Sequence, residues 1–234
     1  IGYDFSTLRP KGDLIKTLDS QSSGPVSWMK VYDGICGAIC SAGHRRGAQM
    51  GVLRVDHPDI FDFIEAKQNG HNLTNFNISV GVTDRFMDAV IRDDSYDLVF
   101  EGKIYKSIPA RPVWDEIMRA TWDWAEPGVI FIDRINQMNN LWYCEKITAT
   151  NPCAEQPLPP HGACLLGSIN MVKYLKADRS GFDFDKLRAD IPHIVRAMDN
   201  VVDRSLYPLE EQAQEARRRC SAAAAASTCT ARCT

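Results

Sequence analysis

No run of apolar residues in this chain approaches the ~20 that a membrane-crossing helix needs. The opening stretch, Ile1 to Asp13, has no signal-peptide pattern and no initiator methionine. It reads as the inside of a structured region, so the expectation is an internal piece of a longer protein. Cationic residues are not in excess. The 27 Lys and Arg stand against 30 Asp and Glu, a formal net charge of −3, which gives no electrostatic reason to expect a nucleic-acid partner. No segment ends in the GK[ST] of a P-loop, and no repeat of about 20–50 residues recurs. Histidine is scarce, five in 234 residues. Neither Asp56-His57 nor His161 has a second His or carboxylate spaced to complete a tetrahedral site, so no metal site is expected.

What is present is ordinary for a soluble globular protein: 44% hydrophobic and 24% charged residues, in a length that fits one large domain or two small ones. The eight cysteines could be read as a disulfide framework, but such frameworks belong to small secreted chains. Free thiols in a reducing cytoplasm are the expectation. On the same ground the acceptor patterns Asn72-Leu-Thr74 and Asn77-Ile-Ser79 are read as chance matches.

Periodicity and punctuation place the elements. Residues 1 to 24 read as a strand end and a Gly/Ser-rich loop. Pro25 to Ser41 predicts a helix, Gln49 to Val55 a buried strand, and Pro58 to Lys67 a helix with proline in its first turn. Phe76 to Val82 alternates as a strand, and Thr83 is placed to cap a helix over Asp84 to Ile91. Tyr96 to Tyr105 predicts a hairpin about Glu101-Gly102. Arg111 to Ala125 predicts an amphipathic helix, Val129 to Ile132 a strand, and Phe184 to Leu206 a helix broken or kinked at Pro192. Strands alternating with helices imply α/β architecture with mainly parallel strands. Residues 220–234 are low-complexity, lack apolar periodicity and are read as a non-native tail outside the domain that spans 1–219. Cys220, Cys229 and Cys233 have no nearby histidine and spacings unsuited to a metal or redox cluster.

The stretch Asn151-Pro-Cys153-Ala-Glu155-Gln-Pro-Leu-Pro-Pro-His-Gly-Ala-Cys164 carries the chemistry. Pro152 restricts Asn151, and the three prolines that follow rule out a helix. In an extended loop, alternate residues share a side, so an amide, a thiol and a carboxylate are expected to be presented together. A second thiol, Cys164, follows eleven positions after Cys153. Such a set suits hydrogen-atom and proton chemistry on a hydroxylated substrate.

The run NPCAEQPLPPHGACLLGSIN resembles the radical loop of ribonucleotide reductases, especially the adenosylcobalamin-dependent class II enzymes. The segments Leu8 to Asp33, Gly43 to Lys67 and Phe76 to Val90 resemble the same catalytic subunit, in the family's order. The resemblance implies part of a ten-stranded α/β barrel with the radical cysteine on a loop through its centre. It implies radical-based reduction of ribonucleotides, as di- or triphosphates, to 2′-deoxyribonucleotides. Cys153 would carry the thiyl radical, Glu155 would take the 3′-hydroxyl proton, and Asn151 would bond the substrate hydroxyls. Cys164 would be one of two reducing thiols. Its partner in the family lies on an earlier strand, expected before residue 1, and a thioredoxin- or glutaredoxin-type protein would re-reduce the pair. Adenosylcobalamin is the implied cofactor. A class I catalytic subunit, or a catalytically inactive nucleotide-binding remnant, are the alternatives. The short Cys153-to-Cys164 spacing and GACLLGSIN look more like class II.

Two further sites follow from the resemblance and from charge. Arg9, Lys11, Gly12 and Asp13 resemble the specificity loop that answers to a nucleoside triphosphate effector, a site that in the family often lies at a homodimer interface. Arg45 and Arg46, in Gly43 to Gly47, offer guanidinium and backbone donors to a phosphate.

Overall fold

The computed structural model describes residues 1–234 except 16, 42–44, 69, 71 and 226–234. The side chains of 40, 41, 45, 46 and 219–225 also fall outside the description. The chain forms two compact units, Ile1–Pro160 and His161–Thr234.

The first unit is built on a four-stranded parallel sheet. Its strands are β1 (Gly2–Asp4), β2 (Gln49–Arg54), β3 (Phe76–Val82) and, after an intervening hairpin, one at Gly128–Phe131. They lie side by side in that order, all parallel. Helix α1 (Pro25–Ala38) links β1 to β2, α2 (Ile60–Ile64) links β2 to β3, and α3 (Asp84–Arg92) follows β3. The hairpin β4 (Ser95–Phe100) and β5 (Lys103–Pro109) and helix α4 (Ala110–Trp124) lead to the last strand, here β6. Helix α5 (Ile132–Met138) leaves it.

Alternation along the strands separates the sheet's two faces. One face carries Leu53, Phe76, Ile78, Val80 and Val82, which join Met29, Ile60, Phe63, Phe86, Val113 and Ile117 from the four helices in one buried core. Each large apolar side chain removed from water there contributes about 1.5–3 kcal/mol. The other face is thin. It presents Met50, Val52 and Ile130, packed by Ile132 and Ile135 of α5 and by Ala149. Between these stand Asn77, Ser79 and Gly81, the alternate positions of β3.

Local chemistry explains the element ends. The Thr83 hydroxyl accepts from the Phe86 N–H at 3.2 Å, capping α3 as expected. Glu101 and Gly102 both adopt positive φ, 48° and 78°, the tight turn that the right-handed twist of a hairpin favours. Helix α2 is shorter than the predicted Pro58 to Lys67 and begins at Ile60. The Asp59 N–H is held by His57 Nδ1 at 3.1 Å, which fixes residues 57–59 as a turn.

The second unit contains α6 (Phe184–Arg204), α7 (Glu210–Ala225) and a short bridge, Leu175 to Phe182. Helix α6 runs unbroken through Pro192, against the expected break. A single proline removes one donor, and the neighbouring turns of a 21-residue helix hold the remaining bonds. Helix α7 reaches Ala225 and so enters residues 220–234, the low-complexity stretch read as a non-native tail. Alanine needs no apolar periodicity to be helical, because it has the highest intrinsic propensity. Cys229 and Cys233 lie outside the described residues, as does the side chain of Cys220. Among the described residues, no helix is long and apolar enough to cross a membrane.

Candidate active site

The Cys153 segment is a hairpin. Strand β7 (Ala149–Thr150) pairs antiparallel with β8 (Pro157–Leu158), and residues 151–156 close the loop. The expected extended run does not form. The Ala154 N–H donates to the Asn151 carbonyl at 3.0 Å, making 151–154 a turn. The Asn151 N–H donates to the Gln156 carbonyl at 3.2 Å, and the Gln156 N–H returns to Asn151 Oδ1 at 2.9 Å. Pro152 occupies the second turn position, where its fixed φ is an advantage, and asparagine at the first is a turn former by its own side chain. Ala154 takes φ 65°, a left-handed conformation that costs a non-glycine residue about 1–3 kcal/mol and persists only where the surroundings hold it. The amide, thiol and carboxylate therefore share one tight loop rather than one side of a strand. Cys153 and Glu155 are exposed and Asn151 is half-buried. With its Oδ1 engaged inside the loop, Asn151 has its Nδ2 donor to offer a ligand.

The hairpin is seated on the thin face of the sheet. β7 passes so close to β1 that a Cβ on Gly2 would lie 1.8 Å from the Thr150 carbonyl oxygen, so only glycine fits there. Asn77, in β3, donates from Nδ2 to the Pro152 carbonyl at 2.6 Å. This is the asparagine of the acceptor pattern Asn77-Ile-Ser79, and its amide nitrogen is engaged by the loop. Sequence reasoning missed Gly2 and Asn77. The available signal was the row Asn77, Ser79, Gly81, which breaks an otherwise apolar strand at every second residue.

Cys164 belongs to the second unit and is exposed. Cys36 is buried in α1, where it packs against Gly47: a Cβ on that glycine would come within 2.6 Å of its sulfur.

The loop resembling a specificity loop is fixed at its base. The Gly12 N–H donates to the Ser22 carbonyl and the Ser22 N–H to the Asp13 carbonyl, each at 2.8 Å, with Gly12 at φ 80°. Beyond them Leu14–Ile15 pairs with Ser20–Gln21. Lys11 donates its backbone N–H to Asp59 at 2.8 Å, and its ammonium lies 3.2 Å from Asp62. Arg9 lies 3.5 Å from Asp13 and donates to the Leu14 carbonyl. Tyr105 of β5 donates to Asp13 Oδ2 at 2.6 Å. That bond favours the carboxylate, so the Asp13 carboxyl is held below its ordinary value and the Tyr105 phenol is pushed up to about 12. The cleft beside Lys11, about 280 Å³, also carries Lys30 and the carboxylates of Asp59, Asp62 and Glu65. Three acids against two lysines make it a poor phosphate cradle.

Arg45–Arg46 forms a short antiparallel pair with Cys40–Ser41, Cys40 opposite Arg46. The intervening turn 42–44 and both arginine side chains lie outside the described residues, so the phosphate contact expected of them has no geometry here.

His57 links the loop to the sheet. The residue is 1% exposed; Nδ1 accepts from the Asp59 N–H, so Nε2 carries the hydrogen that reaches the Leu8 carbonyl at 3.0 Å. Burial, chiefly, lowers its pKa from the ordinary 6.5. As pH falls below 6.5 the unfolded chain takes up a proton before the folded one does. Stability is therefore full above pH 6.5 and is lost as pH falls from there through the lowered folded value. Thermal unfolding of the full-length protein between pH 7.5 and about 5 should show this fall, and His57→Gln should flatten it. Equal slopes for the two proteins would refute the assignment.

Residues 1–223 match the family described as ribonucleotide reductase, barrel domain. The chain belongs to that family. It is 46% identical over 213 residues to a vitamin B12-dependent ribonucleoside-diphosphate reductase of Thermoplasma acidophilum, covering 90% of this chain and 28% of that protein. It is 44% identical over 219 residues to the enzyme of the same name from Mycobacterium tuberculosis, covering 92% and 31%. To a ribonucleoside-diphosphate reductase subunit alpha of Chlamydia pneumoniae it is 26% identical over 251 residues, covering 92% and 24%. The chain thus spans less than a third of the length of each of these relatives. Within the reductase barrel family, the parallel sheet and the hairpin laid against its thin face acquire a context.

Proposed function

We propose that this chain carries the substrate-reducing core of an adenosylcobalamin-dependent ribonucleotide reductase, which converts ribonucleoside diphosphates to 2′-deoxyribonucleotides. The observation that carries the reading is the seating of the Cys153 hairpin on the thin face of a parallel α/β sheet, where Asn77, Ser79 and Gly81 stand between Met50, Val52 and Ile130. A barrel's interior needs such a face if a loop is to pass through it. The four strands would then be part of a ten-stranded barrel, with the hairpin at its centre. The higher identity to relatives named as vitamin B12-dependent favours class II over a class I catalytic subunit.

The exposed Cys153 sulfur fits a radical relay, because a donor standing over the loop can reach it. Adenosylcobalamin, when bound, supplies the radical chemistry that converts that thiol to a thiyl. The thiyl takes the ribose 3′-hydrogen, forming S–H and leaving a carbon radical at C3′. Glu155 accepts the 3′-hydroxyl proton while one thiol of the reducing pair gives its proton to the 2′-hydroxyl, which leaves as water and places the radical on C2′ beside a 3′-carbonyl. Asn151 Nδ2 holds a ribose hydroxyl in place. The other thiol of the pair gives a hydrogen atom to C2′. The two sulfurs, Cys164 and a second cysteine, join as a disulfide and release one electron to the 3′-carbonyl. Glu155 returns its proton to the 3′-oxygen, and Cys153 returns its hydrogen to C3′. A thioredoxin- or glutaredoxin-type dithiol re-reduces the pair by exchange. We assign the Arg9–Asp13 loop to a nucleoside triphosphate effector, at a homodimer interface, and the protein to the cytoplasm.

The test is deoxynucleotide formation by the full-length protein from ribonucleoside diphosphates and a dithiol, with and without adenosylcobalamin. Product that depends on the cofactor is expected. Product formed without it, driven by a separate metal-containing subunit, would place the protein in class I. Nucleotide binding with no product would mark an inactive remnant.

A further inference from the structure

We propose that Asn77 is a positioning residue for Cys153, holding the cysteine loop in register with the sheet. The inference rests on the reading of Cys153 as the radical cysteine. The carbonyl that Asn77 binds belongs to Pro152, the peptide unit that also supplies the Cys153 nitrogen. A peptide unit is planar, so fixing its oxygen fixes where the cysteine's backbone begins.

The loop's other hydrogen bonds cannot do this. Those described for residues 151–156 run between Thr150, Asn151, Ala154 and Gln156 and set the loop's shape. The bond from Asn77 is the one among them that leaves the hairpin, across 75 residues. It starts from β3, which is paired along its length with β2 and from Ser79 onward with β6. A short side chain on a clamped strand transmits that strand's position with little slack.

The residue type points the same way. Asparagine is disfavoured in strands, and a local choice that conflicts with its element marks a functional position more often than an accident. Asn77 is exposed and belongs to neither apolar core, so its role in stability is small. Its reach to the loop is what the strand gains from it.

The test uses the full-length protein with Asn77→Ala and Asn77→Asp. The second keeps the size and removes the donor, and it stands in if the first folds poorly. A near-attack geometry displaced by about 1 Å loses on the order of 10- to 100-fold in kcat, with KM for the nucleotide unchanged. A merely structural residue would not alter Cys153 selectively. The deciding readout is therefore the rate of iodoacetamide alkylation of Cys153, resolved by peptide mass spectrometry against Cys144, an exposed cysteine that precedes β7 and lies outside the 151–156 loop. We expect a severalfold change at Cys153 and none at Cys144 in both variants. Unchanged Cys153 alkylation in both overturns the positioning role, whatever happens to kcat. Absence of deoxynucleotide product from the unsubstituted protein would instead overturn the functional reading, and the alkylation comparison would still decide the tether.

Discussion

Cys153→Ser in the full-length protein is expected to abolish deoxynucleotide formation, a loss of more than roughly 10³-fold, the scale on which removing a reacting group acts. Serine fits the turn at 151–154, because the side chain at this position is exposed and the bonds that shape the loop come from Asn151, Ala154 and Gln156. Nucleotide binding and thermal stability should therefore stay at the level of the unsubstituted protein. What serine cannot do is exchange a hydrogen atom with a sugar carbon. Its O–H bond is much stronger than a ribose C–H bond, whereas S–H and C–H bonds are close in strength. Persistent product from the serine variant would remove Cys153 from the mechanism altogether. Loss of product together with loss of nucleotide binding would show instead that the substitution had damaged the fold.

Glu155→Gln is expected to lower kcat by roughly 10²–10⁴-fold, the range attributed to a positioned acid–base group. Glutamine keeps the length and a carbonyl oxygen, so it can still accept a bond from the 3′-hydroxyl. It cannot take the proton. Since Glu155 is exposed on the loop, no core packing depends on it. The two loop variants should then differ in kind. With serine at 153 no radical reaches the sugar, so a 3′-deuterated substrate shows no exchange. With glutamine at 155 abstraction still takes place, and slow turnover retains the 3′ isotope effect. Turnover of the glutamine variant within about threefold of the parent would give the proton to another group.

The layout of strands and helices was legible because each element announces itself locally. The alternation of Phe76 to Val82, the cap at Thr83 and the Glu101-Gly102 turn are all short-range signals, and all three appear in place. The proline-rich loop was read less well. Proline excludes a helix, but it is equally at home in an extended run and at the second position of a turn, and the hydrogen bonds of Asn151 decide between them. Pro192 is the opposite case, a breaker signal that yields to the cooperativity of a helix formed on both sides of it. The thiol and carboxylate of the candidate site could be picked out by type. Gly2 and Asn77 could not, because their meaning lies in Thr150 and Pro152, which the chain brings to them only when folded.

The small ribbon of Leu14–Ile15 and Ser20–Gln21 has a mechanical corollary. Two residues a side are too few to stand alone in water. Its form is borrowed from its anchored foot, where His57, Asp59 and Tyr105 hold Leu8, Lys11 and Asp13. A lever clamped at one end and soft at the other bends at the soft end first. Under the effector assignment proposed above, a nucleotide settling against the outer half redraws its outline at little energetic expense, while the pivot, and the strand ends behind it, stay still.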